Sequence, residues 1–209
     1  MELKARTDKI RGILKTLYPG VGTALVYETP FQLLVATILS AQCTDKQVNR
    51  ATAELFRHLK TPADFATAPI RTLEKYIRST GFFRNKARNI KNCSQVLVQD
   101  YDGELPRSLE EMVRLPGVGR KTANVVLGAA FGIPGIVVDT HVGRISKRLE
   151  LTHHKDPVKI ELDLMQIIPQ KEWSDFSLRL IYFGRETCKA RNPACASCPL
   201  NHICRYPLK

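Results

Sequence analysis

Apolar residues recur three and four positions apart along most of this 209-residue chain, and they almost nowhere alternate with polar residues. This spacing places apolar side chains on one face of an α-helix, whereas alternation would place them on one face of a strand. The pattern therefore predicts an all-α fold. The clearest predicted helices span residues 9–17, 30–42, 46–59, 70–79, 85–100, 108–113, 121–131, 142–149, 157–168 and 172–186.

Residues that favour helix ends lie at the borders of these segments. Thr29 and Thr44 each precede a helical pattern, so both are expected N-caps. Gly81, Gly103 and Gly117 follow helical patterns, where a left-handed residue or a tight turn commonly ends a helix. The segments therefore predict a compact bundle with short connections.

The charge balance narrows the partners of such a bundle. The chain has 32 Lys and Arg against 20 Asp and Glu, a net charge of +12, which favours nucleic acid or an anionic membrane surface. The longest uncharged stretch, residues 122–138, contains glycines and a proline and falls short of the roughly 20 apolar residues that span a bilayer. Residues 1–12 lack the apolar core of a secretory signal. We expect an intracellular, cytoplasmic protein without a membrane partner, associated with the nucleoid if the source is bacterial.

The sequence MVRLPGVGRKTANVV at residues 112–126 places a tight turn between two predicted helices. Gly117 and Gly119 let backbone N–H groups approach a ligand, and the following helix start adds partial positive charge. Arg120 and Lys121 follow directly. A bare Gly-X-Gly turn more often only joins two helices, but these flanks favour a helix-hairpin-helix that binds the DNA backbone.

Four of the six cysteines fall in a C-x6-C-x2-C-x5-C pattern, at Cys188, Cys195, Cys198 and Cys204. A disulfide framework needs an oxidising compartment that nothing else in the sequence indicates. Four thiolates suit either tetrahedral zinc or a [4Fe-4S] cluster, and only Cys195 and Cys198 have the short spacing usual at zinc sites. The spacing therefore favours iron and sulfur. The isolated Cys43 and Cys93 are expected to be small buried helix residues.

Three motifs in order make the chain resemble the endonuclease III family of DNA glycosylases and abasic-site lyases. They are the cysteine pattern, LPGVGRKTANVVL at residues 115–127 and VDTHV at residues 138–142. The resemblance runs from about residue 30, through LLVATILSAQCTDKQVN, to Cys204.

The resemblance implies a two-lobed helix-hairpin-helix glycosylase fold with a DNA-binding cleft between the lobes. Residues 22–134 would form a six-helix barrel domain that contains the hairpin. Residues 1–21 and 135–209 would form the iron-sulfur domain, with a [4Fe-4S] cluster as cofactor. The implied partner is double-stranded DNA with damaged bases or abasic sites, bound by a monomer.

The resemblance also implies two catalytic residues. Lys121 matches the lysine that attacks C1′ of a damaged nucleotide, releases an oxidised pyrimidine and forms a Schiff base, after which β-elimination breaks the strand. Asp139 matches the aspartate that stabilises positive charge and assists proton transfer. The structural alternatives are a phosphate contact or solvated helix residue for Lys121 and an N-cap for Asp139.

Further positions match DNA contacts of the family. Gln42 matches a residue that fills the space left by an extruded nucleotide, and Phe82 lies in a loop that presses into the opposite strand. The family usually has leucine at the Phe82 position, so the opposite-base preference stays open. The structural alternatives are a polar helix end for Gln42 and burial for Phe82.

The expected phosphate contacts are Gly117, Gly119, Arg120, Lys189 and Arg191. Two basic groups are either solvated helix faces or DNA-backbone contacts, at residues 84, 86, 88 and 91 and at residues 144, 147 and 148.

Three other functions compete with this one. An adenine glycosylase is disfavoured because Lys121 occupies the lyase position, LSAQCTD lacks that family's glutamate, and no recognition domain follows Cys204. A thymine-mismatch glycosylase is harder to exclude. A non-enzymatic iron-sulfur DNA-binding protein would keep the glycines and cysteines without needing Lys121 and Asp139.

Overall fold

The computed structural model describes residues 2–206, so residues 1 and 207–209 of the predicted iron-sulfur domain lie outside it. The described residues form helices and no strand, which confirms the all-α prediction. Short 3-10 turns occur at Arg78–Thr80 and Gln170–Glu172. The helices are α1 Leu3–Leu17, α2 Pro30–Leu39, α3 Asp45–His58, α4 Pro62–Thr67, α5 Ile70–Ile77, α6 Phe83–Asp100, α7 Leu109–Met112, α8 Arg120–Phe131, α9 Thr140–Arg148, α10 Pro157–Ile167 and α11 Trp173–Glu186.

The helices divide into two compact units. The first is Ala24–Ile133, and the second contains the described residues up to Thr23 and from Pro134 onward. We call them the central unit and the terminal unit. None of the described helices is long and apolar enough to cross a membrane.

The core of the central unit is built on α2. Every residue from Phe31 to Leu39 is buried, as expected for a helix that is apolar on all sides. Thr29 caps its first turn by accepting a hydrogen bond from the Gln32 N–H, and Pro30 occupies the first helical position. Helices α3 to α8 and the loops between them contribute most of the other buried apolar side chains, so this unit has one continuous core.

Both ends of the chain contribute to the core of the terminal unit. Ile10 and Leu14 of α1 are fully buried in the same apolar cluster as Phe176 of α11. The Arg11 guanidinium donates to both carboxylate oxygens of Glu172, at 3.0 and 2.7 Å. Helix α1 therefore packs with residues more than 150 positions away in sequence.

The predicted helix-end residues are confirmed. Thr44 caps α3 as Thr29 caps α2, and Gly81, Gly103 and Gly117 have φ values of 69°, 82° and 77°.

Several helix limits differ from the prediction. Helix α1 begins at Leu3 rather than at residue 9, and α2 ends at Leu39 rather than at residue 42. Helix α4 was absent from the prediction, because six residues are too few to show a period. A capping box between Thr61 and Asp64 stabilises α4 locally.

Candidate nucleic-acid interface and iron-sulfur site

The hairpin of the central unit joins α7 to α8 through a turn anchored by apolar side chains. Leu115 and Val118 are buried, and the Val118 N–H donates to the Leu115 carbonyl at 3.0 Å. Gly117 between them has a φ of 77°, a conformation that favours glycine. The buried anchors fix the turn while Gly117 and Gly119 stay exposed.

The two hairpin glycines have different surroundings. A Cβ atom on Gly117 would lie 2.6 Å from Cβ of Asn89 on α6, so this position has no room for a side chain. Gly119 is the N-cap of α8, which begins without a side-chain cap, and a Cβ there would meet nothing within 4 Å. The helix start beside Gly119 is therefore open to a ligand, and its positive end favours an anion.

The predicted nucleophile lies at this helix start. Lys121 is the second residue of α8 and is exposed, with Ala123 buried behind it in the core. Arg120 at the first position is half-buried. The hairpin thus presents an amine beside a turn suited to phosphate.

Two exposed turns in the same unit hold Gln42 and Phe82, the residues predicted to wedge into DNA, which we call the wedge residues. Gln42 has a φ of 53° and is exposed in a turn beyond the end of α2. Phe82 has a φ of 45° and keeps 66% of its surface exposed, so burial of this ring is excluded. The two isolated cysteines have different outcomes. Cys43 lies half-buried in the turn beside Gln42, so its prediction as a buried helix residue was wrong, because α2 ends before it. Cys93 is buried on α6, as predicted.

Two lysines of the predicted basic group on α6, Lys86 and Lys91, donate hydrogen bonds to backbone carbonyls of the protein. Lys86 is buried and donates to the carbonyls of Leu39 and Thr80, at 2.8 and 2.7 Å. Burial lowers its pKa, and the nearby Cys43 thiol opposes that shift. Lys91 donates to two carbonyls at the end of α4. Neither expectation for Lys86 and Lys91, a solvated face or a DNA-backbone contact, is correct.

Asp139 of the terminal unit is held in place by its own helix. Its Oδ1 accepts the Val142 N–H at 2.8 Å, which makes Asp139 the N-cap of α9, as the structural alternative predicted. The side chain is half-buried. His141, two residues further on, contacts Arg144, with Nδ1 3.2 Å from the guanidinium. A capping carboxylate has a fixed orientation, and the cap bond of Asp139 uses Oδ1.

All four clustered cysteines line one cavity, together with apolar residues that include Ile145, Phe183 and Leu200. The thiols are half-buried. Burial raises the pKa values of Cys198 and Cys204, and the negative charge of the neighbouring thiolates raises both further. Such a set of sulfurs needs a bound cationic centre to hold four thiolates together.

The cavity and its surroundings fit a [4Fe-4S] cluster. The four cysteines line one shared cavity, as ligands of a single centre must. Arg148 donates to Cys188 Sγ at 3.2 Å, and the Leu200 N–H lies 3.4 Å from Cys198 Sγ, so donors to sulfur are in place.

The predicted phosphate contacts Lys189 and Arg191 are exposed on the loop between the first two of these cysteines. Arg148 holds that loop by donating to the carbonyls of Lys189 and Ala190, at 2.8 and 3.1 Å. Arg144 donates to the Cys188 carbonyl at 2.8 Å. These arginines shape the loop, which leaves the charges of Lys189 and Arg191 for solvent or a ligand.

Comparison with known proteins adds an independent line of evidence. Residues 35–170 match the HhH-GPD superfamily of base excision DNA repair proteins, and residues 188–204 match the iron-sulfur binding domain of endonuclease III. Endonuclease III of Synechocystis sp. is 54% identical over 96% of this chain and 92% of its own length.

Two solved structures have the same fold. A non-covalent endonuclease III-DNA complex is 50% identical, with a TM-score of 0.90, over 96% of this chain and 95% of that one. A trapped endonuclease III-DNA covalent intermediate is 49% identical, with a TM-score of 0.91, over 96% of each chain. The helical fold, the hairpin, the cysteine cavity and these likenesses agree, and the chain belongs to the endonuclease III family of HhH-GPD base excision repair proteins.

Proposed function

We propose that this protein is a bifunctional base excision repair enzyme, which removes oxidised pyrimidines from double-stranded DNA and then cleaves the strand by β-elimination. The observation that carries the proposal is the exposed amine of Lys121, at the start of a helix without a side-chain cap, beside a glycine turn open to phosphate. Membership of the endonuclease III family supports it.

Lys121 would supply the nucleophile. Its neutral Nζ attacks C1′, the bond from C1′ to the base breaks, and the base leaves with the electron pair and takes up a proton. Opening of the sugar ring gives a Schiff base between Nζ and C1′. Loss of a C2′ proton then breaks the C3′–O bond, and water hydrolyses the Schiff base to free the lysine.

Asp139 would stabilise the positive charge that develops at C1′ and assist proton transfer around the amine. The hydrogen bond from the Val142 N–H supports this role, because it holds the carboxylate in one orientation. A carboxylate that is already ordered loses little conformational entropy when the substrate binds.

Backbone phosphates would bind at the hairpin, through N–H groups near Gly117 and Gly119 and through the Arg120 side chain. Lys189 and Arg191 would add charge from the cysteine loop, which Arg148 holds in shape. Gln42 and Phe82 would fill the space that an extruded nucleotide leaves, and their exposure on tight turns supports that role. The protein would act as a monomer inside the cell.

The [4Fe-4S] cofactor would be held by Cys188, Cys195, Cys198 and Cys204. When bound it supplies four iron-sulfur bonds that tie the loop to the end of the chain, and four cysteine ligands leave no position open for substrate. Its contribution is therefore structural in this account.

A panel of duplexes tests the proposed function, each with one thymine glycol, abasic site, T:G mispair, A:8-oxoguanine mispair or intact T:A pair. The proposal predicts release of thymine glycol and cleavage at the abasic site, with no more than background reaction on the other three duplexes. Preferential release of thymine from T:G, or of adenine, would assign a mismatch glycosylase instead. Tight binding without any cleavage would assign a non-enzymatic DNA-binding protein. Sedimentation at assay concentrations checks the monomer.

A further inference from the structure

Lys86 is a charged side chain in the core of the central unit, only 5% exposed. A buried ammonium is costly unless its donors are satisfied. Two donors are satisfied by backbone carbonyls of different segments, Leu39 and Thr80. Nothing in the chemistry proposed above uses this lysine, so its burial calls for a separate explanation.

Both acceptors lie directly before the wedge turns. Leu39 is the last residue of α2, and the turn at residues 40–43, here the Gln42 turn, follows it. Thr80 ends the 3-10 turn that precedes residues 81–82, here the Phe82 turn. The ammonium of Lys86 therefore bridges the bases of two turns 40 positions apart in sequence.

The same residue also fixes the Phe82 turn through its backbone. The Lys86 N–H donates to the Phe82 carbonyl at 3.1 Å, in the first turn of α6. The Leu39 carbonyl lies at the negative end of α2, where a cation is favourable. Gln42 and Phe82 both have positive φ, a conformation that persists in non-glycine residues only where the surroundings enforce it.

We propose that Lys86 is a positioning residue that holds the Gln42 turn and the Phe82 turn at a fixed separation, so that both side chains enter the DNA together. This proposal rests on the proposed function, in which the two side chains replace an extruded nucleotide. Misplacement of a wedge slows only reactions that require extrusion of a paired base. Cleavage of an abasic site in a single strand needs no wedge.

A comparison of two single-turnover rates tests the proposal. One is excision of thymine glycol from a duplex, and the other is β-elimination at an abasic site in single-stranded DNA. Lys86→Met is expected to lower the duplex rate about tenfold or more and the single-strand rate less than about twofold. Lys86→Gln, which keeps a donor, should recover part of the duplex rate.

Lys91→Met is the matched control. Lys91 lies on the same helix and also donates to two backbone carbonyls, those of Ala66 and Ala68, which are not part of either wedge turn. Its loss should change both rates by the same small factor. Equal losses of both rates in Lys86→Met and Lys91→Met would contradict the proposal, as would a Lys86→Met variant with unchanged rates.

A double-mutant cycle on Gln42→Ala and Phe82→Ala gives a test that does not depend on the folding of Lys86 variants. If Lys86 holds the two turns together, the duplex rate of the double variant should differ by about threefold or more from the rate expected for two independent single effects. Additive effects would overturn the proposal. Absence of both reactions in the wild-type protein would instead be a failure of the proposed function, so the two failures are distinguishable.

Discussion

A Cβ atom on Gly117 would lie 2.6 Å from Cβ of Asn89, a closer approach than side chains tolerate. Asn89 lies on α6, so this contact sets how closely the hairpin packs against that helix. The φ of 77° at Gly117 adds a second requirement for glycine. The hairpin turn is therefore fixed by packing and by backbone conformation together.

Gly117→Ala is expected to lower the free energy of unfolding by about 1–3 kcal/mol, because it introduces both the clash and a left-handed alanine. Gly119→Ser is the matched control. It has open space, and serine is a favoured N-cap, so its stability should stay within about 0.5 kcal/mol of wild type. Affinity for DNA should nevertheless fall, since the new side chain lies where phosphate approaches. Urea unfolding measures the stabilities, and fluorescence anisotropy measures the affinities for DNA. A Gly117→Ala variant as stable as Gly119→Ser would contradict the predicted clash at Gly117.

Asp139 can be divided into its capping and chemical roles by two substitutions. Asp139→Asn keeps an oxygen for the Val142 N–H, so stability should be almost unchanged, whereas excision should slow by about 100-fold or more. Asp139→Ala should lose the same activity and also about 0.5–2 kcal/mol of stability. If Asp139→Asn excised at the wild-type rate, the residue would be a cap without a role in chemistry.

The Arg11–Glu172 pair should stabilise the terminal unit in a pH-dependent way. Hydrogen bonding to Arg11 lowers the pKa of Glu172 below its ordinary value of 4.5. The stabilisation is therefore complete above pH 4.5 and is lost as pH falls through the lower pKa of the folded state.

Arg11→Met is expected to cost about 1–2 kcal/mol at pH 7, because the pair is bidentate and mostly shielded from solvent. The difference from wild type should shrink below pH 4.5. Arg57→Met removes the exposed pair with Glu54 and should leave stability unchanged. Urea unfolding at a series of pH values measures both variants; a difference that stayed constant down to pH 3 would contradict the role of Glu172.

If the four cysteines hold a [4Fe-4S] cluster, the protein should contain about four irons per chain and absorb at about 400 nm after anaerobic purification. Cys198→Ser should lose iron and absorbance and make the loop at residues 188–198 more sensitive to protease. Cys43→Ser, in a turn of the central unit, should retain both. A colourless protein containing one zinc per chain would overturn the cluster.

Features set by neighbouring residues could be predicted from the sequence. The caps at Thr29 and Asp139 and the left-handed Gly117 depend on a few adjacent positions, and the structure has them as expected. The hairpin and the cysteine spacing are likewise local patterns. Their assignment to chemistry came from resemblance to a family, because spacing alone does not separate a nucleophilic lysine from a phosphate contact.

Features set by distant contacts could not be predicted. The burial of Lys86 depends on the carbonyl of Leu39, 47 positions earlier, and nothing near Lys86 distinguishes it from its exposed basic neighbours. The start of α1 at Leu3 was also not predicted. Arg6, in the first two turns of this helix, is buried because it donates to the carbonyl of Glu150, which is distant in sequence. The spacing of apolar residues identifies apolar helix faces, but it does not identify charged side chains that become buried through tertiary contacts.

The central claim, that Lys121 is the nucleophile, is tested most directly by borohydride trapping on abasic-site DNA, since borohydride reduces a Schiff base to a stable amine. Wild-type protein and Lys75→Gln, which changes an exposed lysine on α5, should both become covalently attached to DNA. Lys121→Gln should give no attached product while keeping the iron absorbance. Trapping of Lys121→Gln as efficient as that of wild type would contradict the assignment.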